Sequence, residues 1–305
     1  MKILLTGKSG FIGSHIFPFC KEVGSVDCLV SDLRDHKAVN QEIALSNPDI
    51  VIHLAARTEV EQSFYEQTTF SDINYTATVN LLESCQSLKK MPYFVFASTM
   101  EVYGWQPISD EIKFTGTYSN SVAFDENTIP NPNAPYAVAK YGCEKYIEYF
   151  GRTFGMPYTI IRQTNSYGRK DNDFFVTEQI ISQMLKNDEV NLGYSDPYRN
   201  FIFIDDLLEV WKIIITNQSK VQGNLFTIGP DDPRKIQDCA NLIANKLNYK
   251  GKINWNTKPN RPGEIYWLNS SNKKITDLTG WYPKTSYTNG IDKTIEIWNS
   301  LINKI

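Results

Sequence analysis

Lys2-Ile3-Leu4-Leu5-Thr6-Gly7-Lys8-Ser9-Gly10-Phe11-Ile12-Gly13-Ser14-His15 is the stretch on which the fold turns. A short apolar run is followed by three glycines at intervals of three and then by a helical pattern from Phe11 to about Glu22, so strand, tight turn and helix succeed one another directly. Gly7 permits the turn, Gly10 lets the backbone approach a pyrophosphate, and Gly13 lets the helix lie close on the strand. The helix start then offers free N–H groups and the positive end of its dipole to an anion. The same residues also suit a plain strand-to-helix turn, and the pattern of the chain beyond Glu22 decides between the two readings.

That pattern alternates. Val26 to Val30, Ile50 to Leu54, Tyr93 to Ala97 and Tyr158 to Ile161 read as short buried strands. Between them lie helical patterns ending near Ser46, running from Asn74 to Leu88, and running from Tyr136 to about Phe154. This is the pattern of βαβ units, and the dinucleotide reading of the glycine turn is favoured by it. Beyond Arg162 the texture becomes rich in Asn, Asp, Pro and Tyr, although Phe201 to Trp211 and Leu225 to Ile228 look like returns to the sheet. The sequence predicts an α/β fold: a Rossmann-type doubly wound parallel sheet with a smaller, discontinuous α/β substrate domain. The dinucleotide-binding domain is expected over 1–162 with about 199–228, and the substrate-binding domain over 163–198 and 229–305. Ile108 to Asn133, rich in Asn and Ser, reads as a long loop.

The bulk numbers narrow the setting. Hydrophobic residues at 41% and charged residues at 21% are ordinary globular usage, which argues against disorder. A net charge of −3 gives no general attraction for nucleic acid or for an anionic membrane, so an anionic ligand must be met by local groups. The five cysteines and three histidines show no metal-ligand spacing, and the thiols read as reduced. No apolar run approaches the ~20 residues that span a bilayer. No metal, no nucleic-acid partner, no membrane association and a cytoplasmic setting are the expectations.

The opening segment resembles the extended short-chain dehydrogenase/reductase family, also called the NAD-dependent epimerase/dehydratase family. The likeness continues through Pro48 to Ala56 and Asn74 to Leu82, and reaches Arg261-Pro262-Gly263-Glu264 and Gly280 to Lys284. It implies NAD or NADP as cofactor, a nucleotide-diphosphate sugar as substrate, and a homodimer formed through the helices after His53 and Tyr136. Cofactor contacts fall on Gly7, Gly10, Phe11, Ile12, Gly13, Asp32, Leu33, Leu54, Ala55, Ala56, Tyr136 and Lys140. One departure stands out. Only 40 positions separate Gly13 from His53, room for a single strand, and Asp32-Leu33-Arg34-Asp35 resembles the end of the family's third strand although it follows the second. Asp32 would repel a 2′-phosphate while Arg34 and Lys8 could receive one, so the choice between NAD and NADP stays open.

Tyr136 and Lys140, four residues apart on a helix that starts at Pro135, share a face. A neighbouring ammonium and an oxidised nicotinamide favour the phenolate of a tyrosine that otherwise titrates near pH 10. Thr99, at the end of a strand, completes the Ser/Thr–Tyr–Lys set that the family uses for hydride transfer, and Lys140 also suits the nicotinamide ribose. In Ser98-Thr99-Met100-Glu101-Val102-Tyr103-Gly104, Glu101 resembles the proton-abstracting glutamate of nucleotide-sugar dehydratases, but Met100 stands where many of them carry an acid. Methionine donates no proton, which weakens dehydration. Asn165, Arg199 and Arg261 match the family's handles for the substrate diphosphate, the arginines giving bidentate bonds. The expected activity is that of an NAD(P)-dependent epimerase/dehydratase working by hydride transfer at the sugar C4. The alternatives are an NAD(P)H-dependent reductase of a nucleotide-linked 4-keto-6-deoxy sugar, and a regulatory protein that binds nicotinamide without catalysis. The Tyr136/Lys140 pair argues against the last. Base, sugar and stereochemical course are not legible.

Overall fold

A computed structural model describes residues 1–109, 122–257 and 262–302. Strands β1 (Lys2–Thr6), β2 (Ser25–Cys28), β3 (Ile50–His53), β4 (Tyr93–Thr99), β5 (Tyr158–Gln163) and β6 (Asn224–Ile228) form one sheet in the order β6-β5-β4-β3-β1-β2, and every pairing is parallel. A Rossmann-type doubly wound sheet is therefore present, with a single strand between Gly13 and His53 other than β3 itself. β3 and β4 are buried along their whole length, as strands covered on both faces must be. β2 is the edge strand and alternates exposed with half-buried positions.

Side-chain alternation divides the core. Ile3, Leu5, Ile50, Ile52 and Val95 face one side, where helix α1 (Phe11–Val23) and the helix Ile204–Thr216 supply Ile16, Leu207, Val210 and Trp211. Leu4, Val51, Phe94 and Phe96 face the other, against α2 (His36–Ser46), α3 (Ala77–Gln86) and α4 (Pro135–Phe154). Asp35 starts α2 by accepting the Ala38 N–H at 3.1 Å, so part of the Asp32–Asp35 segment is helix-capping chemistry. A third apolar cluster, with Ile180, Val190, Phe203, Ile243, Ile291 and Trp298, lies apart from the sheet and gathers residues from 167 onward.

Two expectations are corrected. Phe201–Phe203 does not join the main sheet. It pairs in parallel with Asn165–Tyr167, and it reaches the sheet only through packing, Ile202 joining the helix after it in the core on that face. The helix over Asn74 carries a π-turn at Asp72–Thr76 before α3 begins. Of the long loop expected over Ile108 to Asn133, residues 110–121 lie outside the described residues. Its flanks are tied down, with Trp105 N–H donating to Asn131 O and Phe124 N–H to Asn269 O. Among the described residues no helix is long and apolar enough to cross a membrane, and no cluster of three or more His, Cys, Asp or Glu could hold a metal ion.

Candidate active site

The glycine turn forms as its sequence requires. Gly7 has φ +72°, and a Cβ there would lie 2.6 Å from Ala55 N. A Cβ on Gly13 would run into Gly7 O, so both glycines are dictated by backbone packing. Gly10 precedes α1, whose first turn has neither a capping side chain nor an acidic residue. Its amides are thus left for an anion, which is the fit a dinucleotide pyrophosphate needs. Thr6 ties this turn to the next one: its Oγ1 accepts the N–H groups of Leu54 (3.2 Å) and Ala55 (3.1 Å). The Thr6 hydroxyl hydrogen must then go to His53 Nδ1, 2.7 Å away, leaving Nε2–H to donate to Thr78 Oγ1 at 2.9 Å. Thr78 in turn donates to Asn74 O. Burial pushes His53 down to about 3, so the imidazole is a neutral link in this chain.

Two cavities meet at Gly7. The larger, about 520 Å³, takes in Gly10, Phe11, Ile12, Gly13, Leu54 and Ala56. The smaller, about 170 Å³, takes in Asp32, Leu33, Arg34 and Ala55. Every cofactor residue expected from the sequence borders one or the other.

Thr99, Glu101, Tyr136 and Lys140 line the larger cavity. The strand end at Thr99 and the first turn of α4 set the Thr99 hydroxyl beside the Tyr136 phenol, where it favours the ionised form. Lys140 is 3% exposed; its Nζ donates to Ala97 O at 2.8 Å and sits 4.6 Å from the Phe96 ring centroid. Burial lowers Lys140 to about 8, with Cys143 and Glu144 pulling the other way. Burial also pushes the Tyr136 phenol well above its ordinary 10. The Thr99 hydroxyl counters this, while the charges of Glu101 and Glu59 add to it. In the protein alone desolvation is the largest influence on the Tyr136 phenol, and the phenolate expected from Lys140 together with an oxidised nicotinamide concerns the cofactor-bound site. Glu101 is 6% exposed, and its Oε2 is sealed without a hydrogen-bond partner. Met100 turns away into an apolar cluster with Tyr103, Phe124, Ile265 and Trp267, and its sulfur accepts the Thr164 hydroxyl at 2.8 Å.

Asn165 and Arg199 line the same cavity; Arg261 lies outside the described residues. Arg199 Nη2 meets Glu264 Oε1 at 3.0 Å. Several lining residues escaped the sequence reading, Glu264, Arg169 and Glu178 among them. Glu264 stands in the quoted Arg-Pro-Gly-Glu run, Arg169 directly follows Tyr167-Gly168, and Glu178 comes from the helix Val176–Lys186. Asn74 was missed as well. Its side chain brackets Arg57, accepting its N–H at 2.8 Å and donating to its C=O at 2.9 Å, and so fixes the segment after β3.

Comparison with known proteins agrees with this geometry. A family model described as GDP-mannose 4,6 dehydratase matches residues 20–294. The dTDP-D-glucose 4,6-dehydratase of Dictyostelium discoideum is 28% identical over 360 residues, covering 97% of this chain and 81% of that protein. The GDP-6-deoxy-D-mannose reductase of Pseudomonas aeruginosa is 24% identical over 314 residues, 99% of each. The solved structure of a UDP-glucose 4-epimerase from Thermotoga maritima with UDP-glucose superposes with a TM-score of 0.86 at 26% identity, covering 99% of this chain and 100% of that one. The chain belongs to the extended short-chain dehydrogenase/reductase family of nucleotide-sugar enzymes.

Proposed function

We propose that this chain is an NAD(P)-dependent enzyme of the epimerase/dehydratase type that acts by hydride transfer at C4 of the hexose of a nucleotide-diphosphate sugar. One observation carries the reading: the glycine turn, Thr99, Tyr136, Lys140, Asn165 and Arg199 border a single cavity. A nicotinamide cofactor held along Gly7 to Gly13 would supply the acceptor or donor of hydride at C4. The residues of the chain handle the accompanying proton. Tyr136 Oη exchanges it with the C4 oxygen, Thr99 holds both oxygens in line, and Lys140, charged at neutral pH and shielded from water, opposes the negative charge that grows on them. Gly10 to Gly13 suit the cofactor pyrophosphate and Asp32 the adenosine ribose, while Asn165, Arg199 and Arg261 suit the substrate diphosphate. The division into dinucleotide-binding and substrate-binding domains, the homodimer and the cytoplasmic setting belong to the same reading. Tyr146 and Tyr149, 36% and 42% exposed on α4 beside Tyr75, support a second copy docking there.

A second reading, reduction of a nucleotide-linked 4-keto-6-deoxy sugar, is favoured by the lack of an acid at Met100. Incubation with a panel of nucleotide sugars, with and without NAD(P)H, separates the outcomes by product mass. Loss of one water marks dehydration, gain of two hydrogens marks reduction, and an isomer of equal mass marks epimerisation. Tyr136→Phe should abolish each of these while dinucleotide binding persists. Full turnover in that variant rejects the proposal.

A further inference from the structure

Among the described residues three cations line the main cavity: Lys140, Arg169 and Arg199. Lys140 is anchored on Ala97 O, and Arg199 meets Glu264 at 3.0 Å. Arg169 is held differently. Its guanidinium lies between two rings, 4.1 Å from the centroid of Phe11 and 3.9 Å from that of Phe175, and the residue is 7% exposed. Nη1 donates to Ser166 O, and Nη2 donates to Ser166 Oγ at 3.3 Å.

Its counter-charge is badly placed. Glu178 Oε1 is 3.5 Å from Arg169 Nη1, the outer limit of a hydrogen bond, and already accepts the N–H groups of Gly168 (2.9 Å) and Arg169 (3.0 Å). Glu178 Oε2 is sealed and has no partner. Burial pushes the Glu178 carboxyl up and the Arg169 guanidinium down, each away from its charged form. The Arg162–Glu144 pair, at 2.7 Å with a second bond from Nε, is the shorter contact and engages both carboxylate oxygens, although Arg162 Nη1 has no partner. A sealed ion pair with one long bond and an unused oxygen does not repay its desolvation by itself. The unused oxygen, an acceptor, offers an anion nothing; it is the poorly neutralised Arg169 guanidinium, placed in the cavity wall, that an anionic ligand would complete. Phe11, one of the two rings holding Arg169, is also the first residue of α1, whose uncapped amides border the same cavity. Two sources of positive potential therefore converge on one place.

We propose that Arg169 is a phosphate-binding residue that takes an oxygen of a diphosphate beside the glycine turn. The inference rests on reading the cavity as a dinucleotide and nucleotide-sugar site. The cofactor and the substrate both carry a diphosphate, and the test separates the two sources.

NADH and NADPH are titrated by fluorescence, and UDP, GDP, CDP and dTDP by calorimetry, against the wild type, Arg169→Lys, and a double variant Arg169→Met/Glu178→Gln that leaves no bare carboxylate behind. The double variant should weaken one ligand class by about 10- to 100-fold, the range for a charge-assisted hydrogen bond, and Arg169→Lys by less. Weakened NADH or NADPH alone assigns the cofactor pyrophosphate. Weakened nucleoside diphosphate alone assigns the substrate, and weakening of both assigns a shared position. Unchanged affinities in folded Arg169→Lys and in the double variant overturn the inference and leave the function intact. A wild type that binds neither class removes the function and this inference together. If the double variant does not fold, Arg169→Lys decides: affinities within twofold of the wild type reject the role.

Discussion

Glu144 Oε2 and Arg162 Nη2 lie 2.7 Å apart with side chains 0% and 3% exposed, one helical turn beyond Lys140. Arg162 Nε donates to the same carboxylate at 3.0 Å, and Ser98 Oγ donates to it at 2.5 Å. Ser98 and Arg162 are register partners on β4 and β5, so one carboxylate fastens the helix carrying Tyr136 and Lys140 to both strands. Arg162 Nη1 has no partner, so the pair is strong but incompletely satisfied. Glu144→Ala or Arg162→Ala should each destabilise the fold by about 3–5 kcal/mol, because each strands a buried charge. The double replacement by Leu and Met should cost much less than the sum. Urea unfolding of the four proteins measures this, and single-variant losses under ~1 kcal/mol would contradict it.

Lys140 makes a prediction about pH. Its pKa in the fold is about 8 against an ordinary 10.5, so between those values the unfolded chain binds the extra proton. Stability from this residue therefore rises with pH through that window, and the cost of burying the ammonium is fully present below it. Lys140→Met should remove turnover and yet raise stability at pH 7 by on the order of 2–3 kcal/mol. The advantage over the wild type should shrink as pH rises past 8. Tyr136 works in the opposite sense and only above pH 10, where its raised pKa begins to separate fold from unfolded chain. The buried thiols of Cys20, Cys85, Cys143 and Cys239, all pushed up by burial, also titrate on unfolding near the top of this range, so it is the difference in denaturant midpoint between variant and wild type, from about pH 7 to 9.5, that reports on Lys140. A variant less stable than the wild type across that range contradicts the burial argument.

The sheet was legible because Ile3, Ile50 and Val95 sit in short apolar runs whose period and spacing are local properties. So was the glycine turn, since Gly7 and Gly13 answer to backbone contacts that admit no side chain. The π-turn at Asp72–Thr76 was not, because one extra residue per turn leaves the apolar pattern nearly unchanged. The placement of Phe201–Phe203 beside Asn165–Tyr167 was hidden for a related reason: an apolar triplet shows that it is buried, not which strand it pairs with. Arg169, Glu178 and Glu264 were invisible as a group, since charges far apart in sequence look like ordinary surface residues until the fold buries them. Arg199 was found by motif, while its bond to Glu264 at 3.0 Å needed the structure.

Asp32 and Arg34 bear on the choice of dinucleotide. Arg34 Nε reaches both Asp32 oxygens, at 3.0 and 3.1 Å, and its backbone N–H adds a bond at 2.9 Å. These hydrogen bonds hold the Asp32 carboxyl down to about 2. Glu42 takes the N–H groups of Val30 and Ser31 at 2.8 and 3.0 Å. In the smaller cavity the cation is engaged by one carboxylate, and the nearby backbone donors by another. A ribose hydroxyl can be accepted there, whereas a 2′-phosphate meets repulsion. The wild type should bind NADH more tightly than NADPH. Asp32→Ser should move that ratio towards NADPH by roughly tenfold, because it frees the Arg34 fork. Fluorescence titration of the two cofactors decides, and an unmoved ratio would place the ribose elsewhere.

Glu101 separates the two halves of the chemistry. Loss of water from a 4-keto sugar needs a base at C5 and an acid at C6, and Met100, the neighbouring position, is turned into the apolar cluster around Trp267. Glu101, with its sealed and unpartnered Oε2, must then serve both roles if water is lost at all. Hydride transfer at C4 makes no such demand. Glu101→Gln should lower any water-losing activity by about 100-fold or more, within the usual range for general acid–base catalysis, and leave transfer at C4 within about tenfold. The substitution also removes a charge that pushes the Tyr136 phenol upward, so the alkaline limb of the C4 rate profile should move to lower pH. Transfer is read from nicotinamide absorbance or from deuterium exchange at C4, and water loss from product mass. If C4 transfer collapses with the carboxylate, Glu101 belongs to the proton path through Tyr136, and the two halves of the chemistry share one acid–base group.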